Sequence, residues 1–169
     1  TDPAPGDHTY AEGTVVTVTA TPSEGYQFVN WTGDVADPNS ASTTVTMDDD
    51  KSVTANFELI PEYTLTMAVN PAEGGTTDPA SGDHTYQEGT VVTITATPAE
   101  GWQFANWTGD VADPNSPSTT VTMDGDKQVT ANFTQVTYTL TMAANPPEGG
   151  TTDPAPGDHT YAEGTVVTV

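Results

Sequence analysis

The chain has 169 residues, of which 24 are acidic, two are lysines and none is arginine. Its formal net charge is −22 at neutral pH. We therefore expect no nucleic-acid binding, because neutralising phosphates requires a basic face. Membrane insertion is not expected either, since no apolar run approaches the roughly 20 residues of a membrane span. The sequence has no cysteine, which excludes disulfides and thiolate metal sites.

The chain repeats itself. Thr1–Phe57 aligns with Thr77–Phe133 at an offset of 76 residues, with few substitutions. The segment YTLTMAVNPAEGGTTDPA, which begins at Tyr63, returns from Tyr138 as YTLTMAANPPEGGTTDPA at an offset of 75. Self-similarity at a fixed period is the signature of a tandem array of small modules.

The offset changes from 76 to 75 residues between these two alignments, which indicates a joint between modules at that point of the chain. We predict a first module at residues 1–58 that lacks its opening strand, a complete module at 62–134 and the start of a third at 137–169. Thr152–Val169 is identical to Thr1–Val18. We interpret the chain as a window cut from a longer, nearly exact array.

The complete module shows strand patterns in chain order, either alternating apolar and polar residues or β-branched runs. Asp124–Asp126 is predicted to form a tight hairpin turn. No segment has the apolar spacing of a helix. We therefore expect an all-β module of about 75 residues, with about six short strands and little or no helix. The predicted strands are Tyr63–Val69, Thr90–Thr97, Trp102–Trp107, Ser118–Met123 and one through Val129, Ala131 and Phe133.

Aromatic residues recur at matching positions and are the predicted anchors of the core. The stretch GYQFVNWTGD at Gly25–Asp34 returns as GWQFANWTGD at Gly101–Asp110. A module of this size has a modest core, so the loss of one buried aromatic ring costs roughly 3–5 kcal/mol. The predicted anchors are Tyr26, Phe28, Trp31, Phe57, Trp102, Phe104, Trp107 and Phe133.

Two motifs resemble those of a known family. The pattern G-[YW]-x-F-x-x-W-x-G-D and the closing M-D-x-D-K-x-V-T-A-N-F are similar to the divergent InlB B-repeat family, and the likeness covers essentially the whole chain. The resemblance implies β-grasp-like or β-sandwich modules, arranged in tandem in long secreted or surface-attached bacterial proteins. It implies no catalytic residues, since the family shares none.

Acidic loops are candidate calcium sites, because calcium takes six to eight oxygen ligands, often from one loop. The alternative is that Asp and Asn are turn residues that bond their own backbone. The spacing matches no EF-hand and favours turn chemistry. The candidate ligands are Asp34, Asp37 and Asn39 in one copy and Asp110, Asp113 and Asn115 in the other.

Other side chains give weaker signals. His8, His84 and His159 occupy one repeated position in GDHTY, where we expect a local hydrogen bond rather than catalysis. The exchange of Tyr26 for Trp102 between copies indicates a partly exposed ring, which could stack on a sugar. No nucleophile–base set is recognisable, so we expect no enzymatic activity and no cofactor, with calcium as the open question.

The resemblance, together with the repeat pattern, implies a structural segment of an extracellular protein, a stalk or filament whose partners are neighbouring repeats or copies of the same chain. The alternative is an adhesion or carbohydrate-binding module that contacts glycans or a host surface. One further possibility concerns the ends. The tail from Tyr138 could supply the strand that the first module lacks in a neighbouring chain, although the duplicated Thr1–Val18 favours a continuous array.

Overall fold

The computed structural model describes all 169 residues, Thr1–Val169, and confirms the all-β prediction. The chain divides into two compact units, Thr1–Pro61 and Glu62–Val169. Its one helical element is a single 3-10 turn at Ala72–Gly74. Nothing helical in the structure therefore has the length and apolar character that crossing a membrane takes.

The first unit contains four strands in two pairs. They are β1 (Val15–Thr19), β2 (Tyr26–Gly33), β3 (Ser42–Thr46) and β4 (Val53–Leu59). Strand β1 pairs with β3 and β2 pairs with β4, both antiparallel. The edge of β4 that faces away from β2 has no partner strand.

The second unit contains the complete module and a separate hairpin. The module's strands are β5 (Glu62–Asn70), β6 (Gly75–Asp78), β7 (Gly82–Gln87), β8 (Val91–Pro98), β9 (Trp102–Thr108), β10 (Ser118–Thr122) and β11 (Lys127–Gln135). They form a four-stranded sheet in the order β7-β5-β11-β9 and a three-stranded sheet in the order β10-β8-β6. Strand β5 runs parallel to β11, and all other neighbours are antiparallel. The hairpin pairs β12 (Thr137–Met142) with β13 (Gly157–Ala162).

The core of the complete module lies between its two sheets. Alternate residues of each strand point inward, as the period of two requires. Leu65 and Met67 on β5 are fully enclosed, and Ile94 on β8 meets them from the other sheet. The other buried members of this core are Val92, Ala96, Trp107, Val121, Met123, Val129, Ala131 and Phe133.

Two details of the strand prediction were wrong. The module has seven strands, because Gly75–Asp78 and Gly82–Gln87 also form strands, one in each sheet. Their sequences are rich in Gly, Thr and Asp, a composition that does not by itself predict a strand. Asp124–Asp126 does not close a hairpin, since the strands on either side of it belong to different sheets. It is a crossing between the sheets, and Gly125 has no positive φ there.

Candidate functional site

The acidic loop after each repeated Trp is folded onto the indole ring. Trp107 is 2% exposed, and its Nε1 donates a hydrogen bond to the carbonyl oxygen of Ser116 at 2.9 Å. Its backbone N donates to the carbonyl of Pro114 at 2.7 Å. The first module repeats the arrangement with Trp31, whose Nε1 donates to the carbonyl of Ser40 at 3.0 Å. A buried indole N–H requires an acceptor, and the loop supplies it.

A β-bulge brings Phe104 and Trp107 to the same face of β9. These residues are three apart, so a regular strand would point them to opposite faces. Phe104 pairs with Phe133 and Asn106 pairs with Asn132, which leaves Ala105 as an extra residue. The ring centroids of Phe104 and Trp107 are consequently 5.6 Å apart.

The predicted core anchors differ in burial between the two modules. Trp31 lies in the core of the first unit, as Trp107 and Phe133 lie in the core of the second. Phe28, Phe104 and Trp102 are partly buried and pack against these cores. The prediction was wrong for two residues, since Tyr26 is 43% and Phe57 37% exposed.

Phe57 is exposed because its ring lacks the backbone cover that its counterpart in the second unit has. Its counterpart Phe133 is 4% exposed, because Gly74 and Gly75 lie directly against it. Phe57 has no such backbone above it within Thr1–Pro61. Tyr26 lies at the first residue of β2.

Each of the two lysines of the chain bridges two carboxylates. Lys51 Nζ lies 2.5 Å from Asp34 Oδ2 and 2.6 Å from Asp48 Oδ1. Lys127 has the same distances to Asp110 and Asp124. The lysine side chains are mostly covered, at 17% and 15% exposure, whereas the carboxylates face water. We call each of these triplets a lysine clamp.

Each clamp shifts the pKa of its lysine and of the aspartate that lies three residues before that lysine. Hydrogen bonds from the lysines lower the pKa of the Asp48 and Asp124 carboxyls below 3.8, and the positive charge adds to the effect. Hydrogen bonds to the carboxylates raise the pKa of the Lys51 and Lys127 ammonium groups. Each clamp ties the loop after the Trp strand to the turn before the last strand.

The candidate calcium ligands do not converge in this structure. Asp34 and Asp110 belong to the clamps. Asp37 Oδ1 accepts a hydrogen bond from the backbone N of Asn39 at 2.9 Å, which is an Asx turn. Asp113 and Asn115 repeat this turn at the same distance. No group of three or more His, Asp or Glu side chains lies close enough together to hold a metal ion.

The three histidines make one local contact each. The Nε2 of His8, His84 and His159 donates to the carbonyl of the alanine four residues earlier, at 2.7 Å in every copy. In each copy the imidazole therefore closes the short loop between that alanine and the histidine.

Sequence reasoning missed the clamps. A signal was present, because the only two cations of a chain with net charge −22 occupy the same repeat position. A lone cation among carboxylates attracts the nearest of them. For that reason, the carboxylates of the loop and the turn in each copy could have been predicted to form ion pairs with the lysine of that copy.

The first unit also contains an open groove. It has a volume of about 500 Å³ and lies beside the unpaired edge of β4. Its apolar lining includes Val18, Trp31, Val45, Val53 and Phe57. The groove thus opens directly onto the core of the first module.

Comparison with known proteins gives one positive result. The family model described as the divergent InlB B-repeat domain matches residues 4–61 and again residues 63–137. No curated protein and no solved structure matches the chain. The two matches together span more than half of the chain and divide it near the boundary between the two compact units.

Proposed function

The chain belongs to the divergent InlB B-repeat family, and on this premise we propose that it is a structural repeat segment of an extracellular surface protein. It extends and spaces that protein as a stalk or filament. Its partners are neighbouring repeats and copies of the same chain, and the proposal includes no catalytic step and no cofactor.

The observation that carries this proposal is that the repeated polar side chains form their contacts within their own module. The indole N–H of Trp107 bonds within its own module, and so do the ammonium of Lys127 and the imidazole of His84. The distances in the other copies agree within about 0.1 Å. Side chains that close their own module in every copy support a role in building a regular array.

The short joints between strands of successive modules support the same function. Strand β4 ends at Leu59 and β5 begins at Glu62. The backbone N of Ile60, in this joint, donates to the carbonyl of Gly25 at 2.9 Å. Val136 is the one residue between β11 and β12, and its N donates to the carbonyl of Gly101 at 2.8 Å. So short and anchored a joint leaves little chain for flexing.

Small-angle X-ray scattering tests the spacer function. Chains lengthened by one, two and four further copies of residues 62–136 should show a maximum dimension that rises linearly with the number of modules. The control chains carry several Gly-Ser pairs inserted after Val136, and their dimension should rise more slowly. A dimension that grows roughly as the square root of module number in the uninterrupted chains would rule out a spacer.

A second candidate function is carbohydrate binding, and the exposure of Tyr26 favours it. This ring is 43% exposed, and Trp102 at the equivalent position is partly exposed. A glycan array should then show saturable binding that the double variant Tyr26→Ala and Trp102→Ala abolishes and the double variant Tyr26→Phe and Trp102→Phe retains, with unchanged circular dichroism. Equal binding by the native chain and the double alanine variant would reject this candidate.

A further inference from the structure

The first and last strands of the complete module are neighbours in the middle of its four-stranded sheet. The sheet order is β7-β5-β11-β9, so β5 and β11 each have a partner strand on both edges. The two strands run parallel, and six residue pairs join them, from Lys127 opposite Leu65 to Asn132 opposite Asn70. In a parallel pair, the start of one strand and the end of the other lie at opposite ends of the shared ladder.

Tension along a tandem chain acts on these two strands first. Strand β5 begins at Glu62, directly after the joint that precedes the module, and β11 ends at Gln135, directly before the next joint. A pull on both ends of the module therefore draws β5 and β11 in opposite directions along their own axes. This is a shear, because all the hydrogen bonds between the two strands share the tension. An antiparallel hairpin pulled at its open end loses its hydrogen bonds one after another instead.

Side chains reinforce the contact between β5 and β11 at both ends of the ladder. The backbone N of Thr64 donates to Asp126 Oδ1 at 2.8 Å, one residue before the first pair on each strand. At the last pair, Asn70 Nδ2 donates to Asn132 Oδ1 at 3.3 Å. These two hydrogen bonds also have to break before the strands can slide past each other.

The core of the module opposes the same sliding. Met67 on β5 lies opposite Val129 on β11, and they are 2% and 1% exposed. Phe133, near the end of β11, is 4% exposed, and Gly74 lies directly against it. A register slip of one residue would move the inward side chains of a strand to the opposite face of the sheet. The ladder and the core packing are therefore lost together.

We propose that the complete module resists tension, and that the parallel pair of β5 and β11 is the element that resists it, by shear. Under tension the module stays folded until the whole ladder slips in one step. This function goes beyond spacing, which requires only reach, and it rests on the proposed stalk for its biological use.

Pulling the full chain in two directions tests the proposal. The native chain has no cysteine, so introduced pairs of thiols attach the handles of an optical trap at chosen positions. Glu62→Cys with Gln135→Cys places β5 and β11 in shear. Glu62→Cys with Glu88→Cys is the matched control, because β5 and β7 are antiparallel and Glu62 lies opposite Gln87, so this pull opens the pair from its end. All three attachment positions are exposed.

The two attachments should differ in unfolding force. The shear attachment should unfold in one step of roughly 200 Å, since residues 62–135 span about 250 Å when extended and the folded sheet already covers part of that length. At equal pulling speed its unfolding force should be severalfold higher than that of the control, because forced unfolding follows the barrier to unfolding along the direction of pull. Equal forces, or a gradual extension without a step, would overturn the proposal.

Two matched core variants give the second readout. Val129→Ala removes buried methyl groups from β11, and Val121→Ala removes the same groups from β10 in the other sheet, where Val121 is 0% exposed. Both should lower the melting temperature. Only Val129→Ala should lower the unfolding force with handles at residues 62 and 135, because β10 is still packed when the ladder slips.

An equal fall of the unfolding force in both core variants would also overturn the proposal, since the force would then follow general stability rather than the pairing of β5 with β11. Solution scattering measures the dimension of chains under no tension. A low unfolding force therefore leaves the spacer function standing, and a dimension that fails to grow linearly leaves the measured resistance of the module unchanged.

Discussion

The indole ring of Trp107 packs in the core, and its N–H donates a hydrogen bond to the acidic loop. Trp is therefore required at this position for two reasons. A smaller aromatic ring could fill part of the space but would leave the carbonyl of Ser116 without its donor. Burying an unsatisfied polar group costs about 1–3 kcal/mol.

Replacing Trp107 should separate these two contributions. We expect Trp107→Phe to lower the free energy of unfolding by about 1–3 kcal/mol and Trp107→Ala by about 3–5 kcal/mol. Urea unfolding followed by circular dichroism measures both. Trp102→Phe is the matched control, since its ring is partly exposed and its N–H has no partner within the chain. A cost for Trp107→Phe no larger than that of the control would show that the loop hydrogen bond adds nothing.

Gly109, two residues after Trp107, is fixed by both backbone conformation and space. Its φ is +116°, and a Cβ there would overlap the carbonyl oxygen of Gln128 and lie 3.1 Å from Cα of Val129. We expect Gly109→Ala to lower the free energy of unfolding by about 2–4 kcal/mol. Gly101→Ala shares a positive φ without the overlap and should cost about 1–2 kcal/mol. Thermal melts that rank the two variants in the opposite order would contradict this interpretation.

The strands of the module were predictable where a period of two is visible, as in Tyr63–Val69. They were not predictable in Gly82–Gln87, where pairing to β5 overrides weak strand propensity. The bulge at Ala105 was hidden for a similar reason, since a register shift depends on the partner strand. Of the candidate sites, the local turn at Asp37 followed from residue type alone. The clamps required knowledge of which loop faces which turn.

The lysine clamps join separate elements, so their loss should destabilise the module in a pH-dependent way. Asp124 has a lowered pKa in the folded state, so it stabilises the fold above its ordinary value of 3.8 and that contribution disappears as the pH falls through the lowered pKa. Lys127 has a raised pKa, so its contribution is present below 10.5 and disappears at higher pH.

Substitution of Lys127 by Met tests this dependence. The melting temperature of Lys127→Met should lie below that of the native chain by a constant margin from about pH 5 to about pH 9. The margin should shrink as the pH falls below 3.8 and then through the lowered pKa of Asp124. Gln128→Glu makes the same change in net charge at an exposed neighbour and is the matched control. A margin that the control reproduces would mean that general charge repulsion, and not the clamp, causes it.

Across the whole molecule, two cations offset few of the 24 carboxylates, and the net charge of −22 opposes folding through self-repulsion. Salt should relieve that repulsion. Raising sodium chloride from about 0.1 M to about 1 M shortens the screening length from about 10 Å to about 3 Å. We therefore expect the melting temperature to rise with salt.

A specific effect of calcium can be distinguished from this general effect of salt by comparing calcium chloride with sodium chloride at equal ionic strength. We expect calcium chloride to shift the melting temperature no more than sodium chloride does, because Asp34 is already paired with Lys51 and Asp37 with the backbone of Asn39. A larger shift that a chelator reverses would contradict this expectation and establish a bound ion. The double variant Asp37→Asn and Asp113→Asn then locates it, because the amide oxygen keeps each turn bond while one negative charge per loop is removed. Loss of the calcium-specific shift in that variant, with its melting temperature in sodium chloride unchanged, would assign the ion to these loops.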